Sequence, residues 1–448
     1  MTLSRDLIRV LLEKRAHIPS KIRAKGLLHI IDNLGIAVAA SRRSSVAAQM
    51  VKSLGFGANR GNCRVFGQPD GAPPVLAALV NSAMAHNLDY DDIHDVARIH
   101  PSSVTLAASL AAAEIAQCKG DAVVDGVILG NELMCRLGRT ITPLGKGPGA
   151  DWFLSQLFGY LGAAFAAGMI LGLSEDELVS AFGLAYMQMA GGKEPAFTIG
   201  ANSRAIYTGF AAQGGLQAAI LAKSGLLGPA SSLDGVAGVF PLYLGTTPSE
   251  EDIRKLTSPE DWIWEDTAVK PWPCCRSAHP YVAVALSLKR RIGDVRIGRA
   301  LVEVNARAGF LCRPLDERRR PTTLADAKYS IPFMVAFALA KGRVDMLSLE
   351  DASIADTAVL ELAERVEIEQ SLPDLPGPAP AKITLTLADG SIVSEQLNGG
   401  LVLDPEQVRE KFLSCMEYGG LGRHAEALWV RLQKLDTMMA SEIVPAFD

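Results

Sequence analysis

Ionisable side chains concentrate in one segment of fifteen residues, 86–100, which holds four of the 49 acidic residues and three of the seven histidines. They are His86, Asp89, Asp91, Asp92, His94, Asp95 and His100. Acidic groups this close destabilise one another unless other groups compensate their charge. Paired carboxylates beside imidazoles can also tune one another for proton transfer, with His100 as the group that moves the proton. The segment therefore predicts acid–base chemistry on a bound substrate.

Two other interpretations of this segment stay open. It is compatible with a solvated turn whose aspartates cap the neighbouring helices. It is also compatible with a divalent metal site, because carboxylate and imidazole are metal ligands, but neither the HExxH spacing nor the EF-hand pattern is present. We expect no metal and no other cofactor, and a metal-dependent hydrolase would instead lose its activity on chelation.

A second cluster, residues 270–280 (KPWPCCRSAHP), places Lys270, Arg276 and His279 on a segment that prolines stiffen. The planar guanidinium of Arg276 could hold two carboxylate oxygens, and Lys270 could act as a point charge. The alternative is a structural hinge between domains. The two adjacent cysteines are a poor metal motif, because zinc and iron–sulfur sites use spaced cysteines.

A third segment, residues 193–207, runs from a glycine-containing loop into a helix that we expect to begin near Asn202 and Ser203. The backbone amides at such a helix start attract an anion, and Arg204 would lie beside them in the first turn. Alone this is a weak indication, because any capped helix shows the same pattern. The chain has neither a GxGxxG after a strand nor a GxxxxGK motif, so no nucleotide cofactor is indicated.

The composition is that of a globular protein with more than one domain. Its 448 residues exceed the roughly 250–300 at which a single core stops growing. With 44 basic and 49 acidic side chains the net charge is −5, and hydrophobic residues at 49% exclude a largely disordered chain. No long basic run is present, so nucleic acid is not an expected partner.

Three sequence features bear on the location of the protein. The first residues, MTLSRDLIRVLLEKR, indicate an amphipathic helix without the apolar core and cleavage site of a secretory signal. An odd count of seven cysteines is typical of a reducing compartment. The most apolar stretch, residues 153–173, is interrupted by Ser155 and Gln156 and is typical of a buried core helix. We therefore expect a cytoplasmic protein with no membrane contact.

Helical periodicity dominates the sequence to about residue 265. Two capping boxes mark helix starts within this part, one at Ser174–Glu177 and one at Thr247–Glu250. Abundant alanine and glycine let helices approach one another closely. The first part of the chain therefore predicts an all-helical domain.

The later part of the chain mixes strands and helices. Residues from Ala300 alternate as a strand does, and a hairpin is indicated with its turn at Asp389-Gly390. Helical patterns cover residues 327–341 and 355–366. The predicted fold class is mainly α, with a large all-helical domain plus a smaller α+β domain. The expected limits are 1–267 together with 399–448 for the first domain and 268–398 for the second.

Four motifs, taken together, resemble those of one protein family. They are AHNLDYDDIHD with HPSS (residues 85–103), GPASSLDGVAGVF (228–240), KPWPCCRSAHP (270–280) and DAKYSIPF (326–333). By these motifs the chain resembles the MmgE/PrpD family over essentially its whole length. That family includes 2-methylcitrate dehydratase, cis-aconitate decarboxylase and iminodisuccinate epimerase. The resemblance implies a large helical domain with a smaller α+β lid, an active site in the cleft between them, and a homodimer.

The resemblance also implies individual site residues. By their motifs, Asp89, His100 and Lys270 match catalytic residues of the family. Arg204 falls where relatives often carry a lysine, and arginine favours charge clamping over proton transfer because it keeps its proton. Where decarboxylase-type members have a histidine, residues 152–154 of this chain are Trp-Phe-Leu.

We therefore expect a lyase that removes a proton α to a carboxylate of a small di- or tricarboxylic acid, most similar to a 2-methylcitrate dehydratase. His100 would be the principal acid and base, with Asp89, and Asp91 as a second candidate, orienting it or acting as a partner base. The side chains expected to bind the substrate are Asp91, Arg204, Tyr207, Arg276 and His279. A cofactor-independent epimerase or a decarboxylase of the same family, and a non-catalytic carboxylate-binding protein, stay open as alternatives.

Overall fold

The computed structural model describes residues 2–55, 61–141 and 149–445 of the chain. The chain divides into two compact units. The first, here called the helical unit, comprises Met1–Glu194, Ser203–Val269 and Asp404–Asp448. The second, here called the mixed unit, comprises Pro195–Asn202 and Lys270–Leu403. The domain limits expected from the sequence stay a prediction.

Helices make up most of the described residues. In chain order the α-helices are α1 (Leu3–Ala16), α2 (Ser20–Arg43), α3 (Ser45–Ser53), α4 (Pro74–Asn87), α5 (Ser102–Ala116), α6 (Gly120–Arg139), α7 (Leu154–Leu157), α8 (Gly159–Ile170), α9 (Glu175–Tyr186), α10 (Tyr207–Lys223), α11 (Val239–Leu244), α12 (Glu250–Thr257), α13 (His279–Ile292), α14 (Leu315–Arg319), α15 (Leu324–Lys328), α16 (Ile331–Lys341), α17 (Thr357–Ala363), α18 (Pro405–Tyr418) and α19 (Gly422–Leu432). Short 3-10 turns lie at Glu194–Ala196, Asn202–Ala205, Ile263–Asp266, Arg276–Ala278, Ala306–Leu311, Asp351–Ala355, Leu435–Thr437 and Ala440–Glu442. The helical unit contains α1–α12, α18 and α19, and the mixed unit contains α13–α17.

The core of the helical unit is built around α8, of which every residue is buried. Its sequence, GYLGAAFAAGMI, offers small side chains, and α5, α6, α9 and α10 pack against it. Glycine is required where α10 meets α8, because a Cβ at Gly215 would lie 2.5 Å from the Cβ of Ala163 and 2.6 Å from the carbonyl oxygen of Tyr160. The small residues thus let these helices approach closely, as the composition indicated.

The apolar stretch at residues 153–173 forms α7 and α8 of this core. Both helices are fully buried within the helical unit, as expected for core helices. In residues 2–55, 61–141 and 149–445, no helix combines the length and the apolar character that crossing a lipid bilayer requires.

Both predicted capping boxes lie near helix starts, but only one uses the predicted residues. Ser174 and Glu177 exchange hydrogen bonds between side chain and backbone at the start of α9. At α12 the box is formed by Ser249 and Asp252 rather than by the pair that begins at Thr247. The shift obeys the same rule, because Ser249 also has an acidic residue three positions later.

The mixed unit holds one four-stranded sheet. Its strands are β1 (Ile297–Asn305), β2 (Val366–Leu372), β3 (Ala381–Leu387) and β4 (Ile392–Leu397), in the spatial order β2-β1-β3-β4. β1 is parallel to β2 and antiparallel to β3, and β3 is antiparallel to β4. Residues of β3 alternate between buried and partly exposed, and α13 packs against β3 and β4. The sheet therefore has one face covered by helix.

The predicted fold class, mainly α with a smaller α+β part, is confirmed. β1 and the hairpin at Asp389-Gly390 lie where the sequence indicated them. The helix expected over residues 355–366 is shorter, because α17 ends at Ala363 and the chain continues as β2 from Val366. β2 was not predicted, since most of its residues are polar and exposed and it pairs along one edge only.

Candidate active site

The predicted acid–base segment forms the end of α4 and the loop between α4 and α5. α4 ends at Asn87, and the backbone N–H of Asp89 donates to the carbonyl of His86 at 2.9 Å. Asp89 has a φ of +55°, a left-handed conformation that aspartate adopts more readily than most residues. An antiparallel bridge between Ile93 and Ala268 holds the loop further along. Because its aspartates are largely buried, the interpretation as a solvated turn is wrong.

His86, Asp91 and His100 form the centre of the site. The Nδ1–H of His86 donates to Oδ2 of Asp91 at 2.8 Å, and Nδ1 of His100 lies 3.6 Å from Oδ1 of the same carboxylate. The two imidazole rings meet edge to face with centroids 5.1 Å apart. The side chain of Asp91 is fully buried, whereas that of His100 is 14% exposed. His100 is thus the member of this cluster that a small molecule can reach.

Hydrogen bonding determines which ring nitrogen of His100 carries the proton. Nδ1 lies 2.8 Å from the backbone carbonyl oxygen of Asp92, and a carbonyl oxygen only accepts, so Nδ1 donates. The lone pair of the neutral ring is therefore on Nε2. The backbone N–H of His100 donates to Oγ of Ser155 in α7 at 2.8 Å, which fixes the residue from a second element. Such a ring can accept a proton at Nε2, and the nearby Asp91 carboxylate would stabilise the resulting charge.

Asp92 and His94 hold the loop in place. The Asp92 carboxylate accepts from the hydroxyl of Ser102 at 2.6 Å and from Nδ1 of His29 at 2.7 Å. Burial lowers the pKa of His29, since it disfavours the charged form of the ring. Both ring nitrogens of His94 bond to backbone atoms, Nε2 to the carbonyl of Ile263, and burial lowers its pKa as well. These two histidines are structural.

Tyr207 and Phe153 form an aromatic wall beside His86. The rings of Phe153 and Tyr207 stack with an interplanar angle of 5° and centroids 4.5 Å apart. Tyr207 also meets His86 edge to face at 4.7 Å. The imidazole of His86 is therefore packed between the carboxylate of Asp91 and an apolar surface.

Arg204 and Tyr207 lie at a helix start that differs from the expected one. A 3-10 turn covers Asn202–Ala205, and α10 begins only at Tyr207. The helix start expected at the beginning of this turn is wrong, because a hydrogen bond from the N–H of Ile206 to the carbonyl of Ser203 closes a separate turn first. Arg204 is consequently outside the first turn of α10, although it is buried.

Lys270, Arg276 and His279 belong to the mixed unit. Lys270 is fully buried. Nη2 of Arg276 donates to the carbonyl of Leu401 at 3.4 Å. Nε2 of His279 donates to the carbonyl of Cys274 at 3.0 Å, so this ring holds its own loop. In the mixed unit, Lys270 is therefore buried, and one ring nitrogen of His279 is engaged in a structural hydrogen bond.

The helical unit brings three of the predicted site residues into one cluster. Asp91, His100 and Tyr207 meet there through His86, which was not predicted as a site residue. Asp89 lies in the same loop and is buried. The remaining predicted residues are Arg204, ahead of α10, and Lys270, Arg276 and His279 in the mixed unit.

Comparison with known proteins identifies the family. Residues 12–252 match the MmgE/PrpD N-terminal domain, and residues 272–434 match the MmgE/PrpD C-terminal domain. The chain belongs to the MmgE/PrpD family. The resemblance indicated by the sequence motifs is therefore confirmed.

Relatives of this MmgE/PrpD protein include several cis-aconitate decarboxylases. It is 28% identical to the cis-aconitate decarboxylase-like protein oryM of Aspergillus oryzae, over 89% of this chain and 87% of that protein. It is 25% identical to a cis-aconitate decarboxylase of Aspergillus terreus, over 88% and 84% of the two chains. It is 27% identical to the cis-aconitate decarboxylase of Homo sapiens, over 86% and 80%. The family and these relatives support an enzyme of the lyase class.

The central cluster of this MmgE/PrpD protein has the composition of a metal site. Ligand atoms of His86, Asp91 and His100 lie within 4.8 Å of one another. Two imidazoles and a carboxylate suit zinc or another first-row divalent ion. The Nδ1 atoms of both histidines already donate hydrogen bonds, so a metal would take the ring nitrogens that proton transfer needs. The expectation of no metal stays a prediction.

The sequence did not indicate a buried ion pair next to this loop. Nζ of Lys411 in α18 lies 2.8 Å from Oδ1 of Asp32 in α2 and donates to the carbonyl oxygen of Tyr90 at 2.7 Å. Burial raises the pKa of Asp32 to about 6. The signal that could have found this pair is an ionisable residue inside the apolar periodicity of α2, because charged residues are rarely buried unless paired.

Proposed function

We propose that this MmgE/PrpD protein is a hydro-lyase, similar to 2-methylcitrate dehydratase, that acts on a small di- or tricarboxylic acid. The proposed reaction removes a proton α to a carboxylate and expels a hydroxide from the β-carbon, which leaves a carbon–carbon double bond. The observation that supports it is the setting of His100, a partly exposed imidazole with its Nδ1–H fixed on a backbone carbonyl and a buried carboxylate 3.6 Å away.

His100 supplies both proton transfers in the proposed reaction. Its Nε2 takes the α-proton, and the electron pair of the C–H bond forms the double bond as the C–O bond of the β-carbon breaks. The imidazolium then gives its proton to the departing hydroxide, which leaves as water. Asp91 stabilises the positive ring in between, and the bond from His86 holds that carboxylate in place. A positioned acid or base contributes roughly 10²–10⁴-fold to such a step.

Cationic side chains are proposed to bind the carboxylates of the substrate. The assigned residues are Lys270, Arg204 and Arg276 for the carboxylates, and Tyr207 and His279 as hydrogen-bond donors. The positions of Lys270 and Arg204 relative to the family motifs support their role, and charge attraction is stronger once a bound substrate excludes water. Asp89 is proposed to orient the substrate or the base.

Decarboxylation of cis-aconitate is the second candidate, and the names of the relatives favour it. Phe153 counts against it. Decarboxylase-type members of the family have a histidine in this segment, and a phenyl ring stacked on Tyr207 cannot protonate the carbanion that loss of CO₂ leaves. An epimerase, in which the proton returns to the opposite face, and a non-catalytic carboxylate-binding protein stay alternatives.

Proton NMR of the purified protein in D₂O distinguishes these reactions. The panel is 2-methylcitrate, citrate, cis-aconitate and iminodisuccinate. A new alkene from a hydroxy acid would support the hydro-lyase, and CO₂ release from cis-aconitate would support the decarboxylase. Loss of the α-proton of iminodisuccinate with an intact carbon skeleton would support the epimerase. No reaction with any of the four acids, combined with thermal stabilisation by one of them, would contradict an enzyme and support the carboxylate-binding protein.

We also propose that the protein is a homodimer of the cytoplasm. Exposed apolar side chains at Met187, Val236 and Leu242 support an interface on the helical unit, because Tyr186 bonds to Ala237 and contacts Tyr243 and so brings these three segments together into one patch. All seven cysteines lie in the described residues and carry thiols, which supports a reducing compartment. Light scattering after gel filtration should give twice the mass of one chain, and the mass of a single chain would contradict the dimer.

A further inference from the structure

Lys411 contacts the active-site loop although it lies in α18, 321 positions after Tyr90 in the sequence. Its Nζ donates to the carbonyl oxygen of Tyr90 at 2.7 Å. The ammonium group also lies over the ring of Tyr90, 3.9 Å from the centroid. Tyr90 immediately precedes Asp91, so one buried amine holds both the backbone and the side chain of the residue next to the catalytic carboxylate.

Asp32 holds Lys411 in this position. The ammonium group lies 2.8 Å from Oδ1 and 3.0 Å from Oδ2 of Asp32. The side chain of Lys411 is 2% exposed and that of Asp32 is 0% exposed, and α2 packs directly against α18. Because water cannot compete for either charge, this ion pair holds the ammonium group of Lys411 in one position beside the loop.

The backbone on the other side of Tyr90 is strained. Asp89 has a φ of +55°, and a left-handed conformation in a residue other than glycine persists only where the surroundings hold it. The amine of Lys411 supplies such a restraint one residue later, through the carbonyl of Tyr90. Without it, relaxation of Asp89 would rotate the following backbone and move the carboxylate of Asp91.

We propose that Lys411 is a positioning residue of the active site. Through the carbonyl of Tyr90 it keeps the Asp91 carboxylate between His86 and His100. This inference rests on the proposed acid–base role of His100. A displacement of about 1 Å can lower a rate by roughly 10²-fold, and in the structure as described Lys411 bonds to Asp32 and Tyr90, not to a residue assigned to the substrate. We therefore expect it to act on kcat and not on KM.

Two variants remove the amine. Lys411→Met alone leaves the Asp32 carboxylate buried without its cation and is expected to lose stability. The double variant Asp32→Leu with Lys411→Met removes both charges, and apolar replacement of a buried ion pair is often neutral or stabilising. The double variant therefore tests the restraint on Tyr90 in a folded protein.

Lys14 offers a matched control in the same unit. Like Lys411 it is buried, and its Nζ donates to the carbonyl oxygen of Pro259 at 2.8 Å. It also lies over an aromatic ring, that of Trp262, 4.2 Å from the centroid. Lys14→Met thus removes the same kind of buried amine away from the active-site loop.

The double variant is expected to lower kcat by about 10–100-fold with an unchanged KM, and Lys14→Met is expected to leave both constants unchanged. In ¹⁵N NMR of histidine-labelled protein, the imidazole signals of His86 and His100 should shift in the double variant and not in Lys14→Met. If the wild type converts none of the panel acids, the proposed function fails, and the imidazole signals alone decide the inference. A folded double variant with wild-type kcat would overturn the inference. If the wild type shows no turnover, wild-type imidazole signals in the folded double variant would overturn it.

Discussion

At the scale of single residues, the histidines of segment 86–100 are held in three different ways. His86 donates to Asp91, and His94 bonds to backbone atoms through both ring nitrogens. His100 donates to a backbone carbonyl while part of its ring reaches solvent. Only the last arrangement combines a fixed tautomer with access for a small molecule, which is why proton transfer is assigned to His100.

His94→Ala is expected to lower stability, and to lower turnover far less than His100→Ala does, because His94 holds the loop but transfers no proton. The substitution leaves the carbonyl of Ile263 buried without its donor, which should reduce the free energy of unfolding by about 1–3 kcal/mol. Urea unfolding measures the first effect, and kcat per folded molecule at low temperature measures the second. A folded His94→Ala protein that is as inactive as His100→Ala would move the acid–base role away from His100.

Phe153→His is expected to raise the release of CO₂ from cis-aconitate by at least about ten-fold, because the new imidazole beside Tyr207 could protonate a carbanion. Labelled CO₂ from carboxyl-labelled cis-aconitate measures the rate. Phe153→Leu is the matched control, since it also removes the stacked ring but adds no proton donor. If both variants release CO₂ equally fast, position 153 does not select between elimination and decarboxylation.

At the scale of elements, α2 and α18 are joined by the buried pair of Asp32 and Lys411. Burial raises the pKa of Asp32 from 3.8 to about 6. A carboxyl group with a higher pKa in the folded than in the unfolded state binds more protons when folded. Its contribution to stability therefore falls as the pH rises from 3.8 to about 6.

We expect Asp32→Asn to remove this dependence on pH. The free energy of unfolding of the wild type, minus that of the variant, should fall between pH 3.8 and about 6, by up to about 1.4 kcal/mol per pH unit. Urea unfolding of both proteins at several pH values across this range gives the difference. A difference that stays constant or grows with pH would contradict the raised pKa of Asp32.

Gly215→Ala should be destabilising by about 1–3 kcal/mol, because the added Cβ would lie 2.5 Å from the Cβ of Ala163 where α10 meets α8. Gly192→Ala is the control, since its Cβ would have no neighbour within 4 Å. The midpoints of urea unfolding of the two variants measure the effect. Equal midpoints would show that α8 and α10 can separate without loss.

The elements that the sequence indicated correctly are those whose pattern is local. β1 alternates along its own length, and the hairpin turns at an Asp-Gly pair. β2 is a strand because it pairs with β1, and its own residues are mostly polar. The start of α10 was misplaced for a similar reason, because the preceding residues close a separate 3-10 turn.

At the scale of the whole molecule, the family could be predicted from local sequence patterns, whereas the arrangement of the site depends on contacts between distant residues. The motifs that predicted the MmgE/PrpD family are contiguous, so they can be read from the sequence directly. The pair that supports Tyr90 joins residues 379 positions apart, and no local pattern places Asp32 beside Lys411. The sequence could therefore predict that the loop carries acid–base residues. It could not predict which residues hold the loop or which roles its histidines take, because both depend on the fold.

We expect turnover to respond to metal removal and addition in the opposite way to the turnover of a metalloenzyme. Treatment with EDTA is expected to leave turnover unchanged, whereas added Zn²⁺ is expected to inhibit, because the ion competes with the proton for His86, Asp91 and His100. Turnover at controlled free Zn²⁺ concentrations measures both effects. Activity that is lost in EDTA and restored by Zn²⁺ would make this cluster a catalytic metal site.

In the proposed reaction His100 removes a proton α to a substrate carboxylate. The most direct test of this step is the loss of the α-proton signal of the panel acids in D₂O, measured side by side for the wild type and His100→Ala, with the exposed His424→Ala as control. We expect loss of signal with the wild type and with His424→Ala, and a rate about 10²–10⁴-fold lower with His100→Ala. A folded His100→Ala protein that exchanges the α-proton as fast as the wild type would contradict this role of His100.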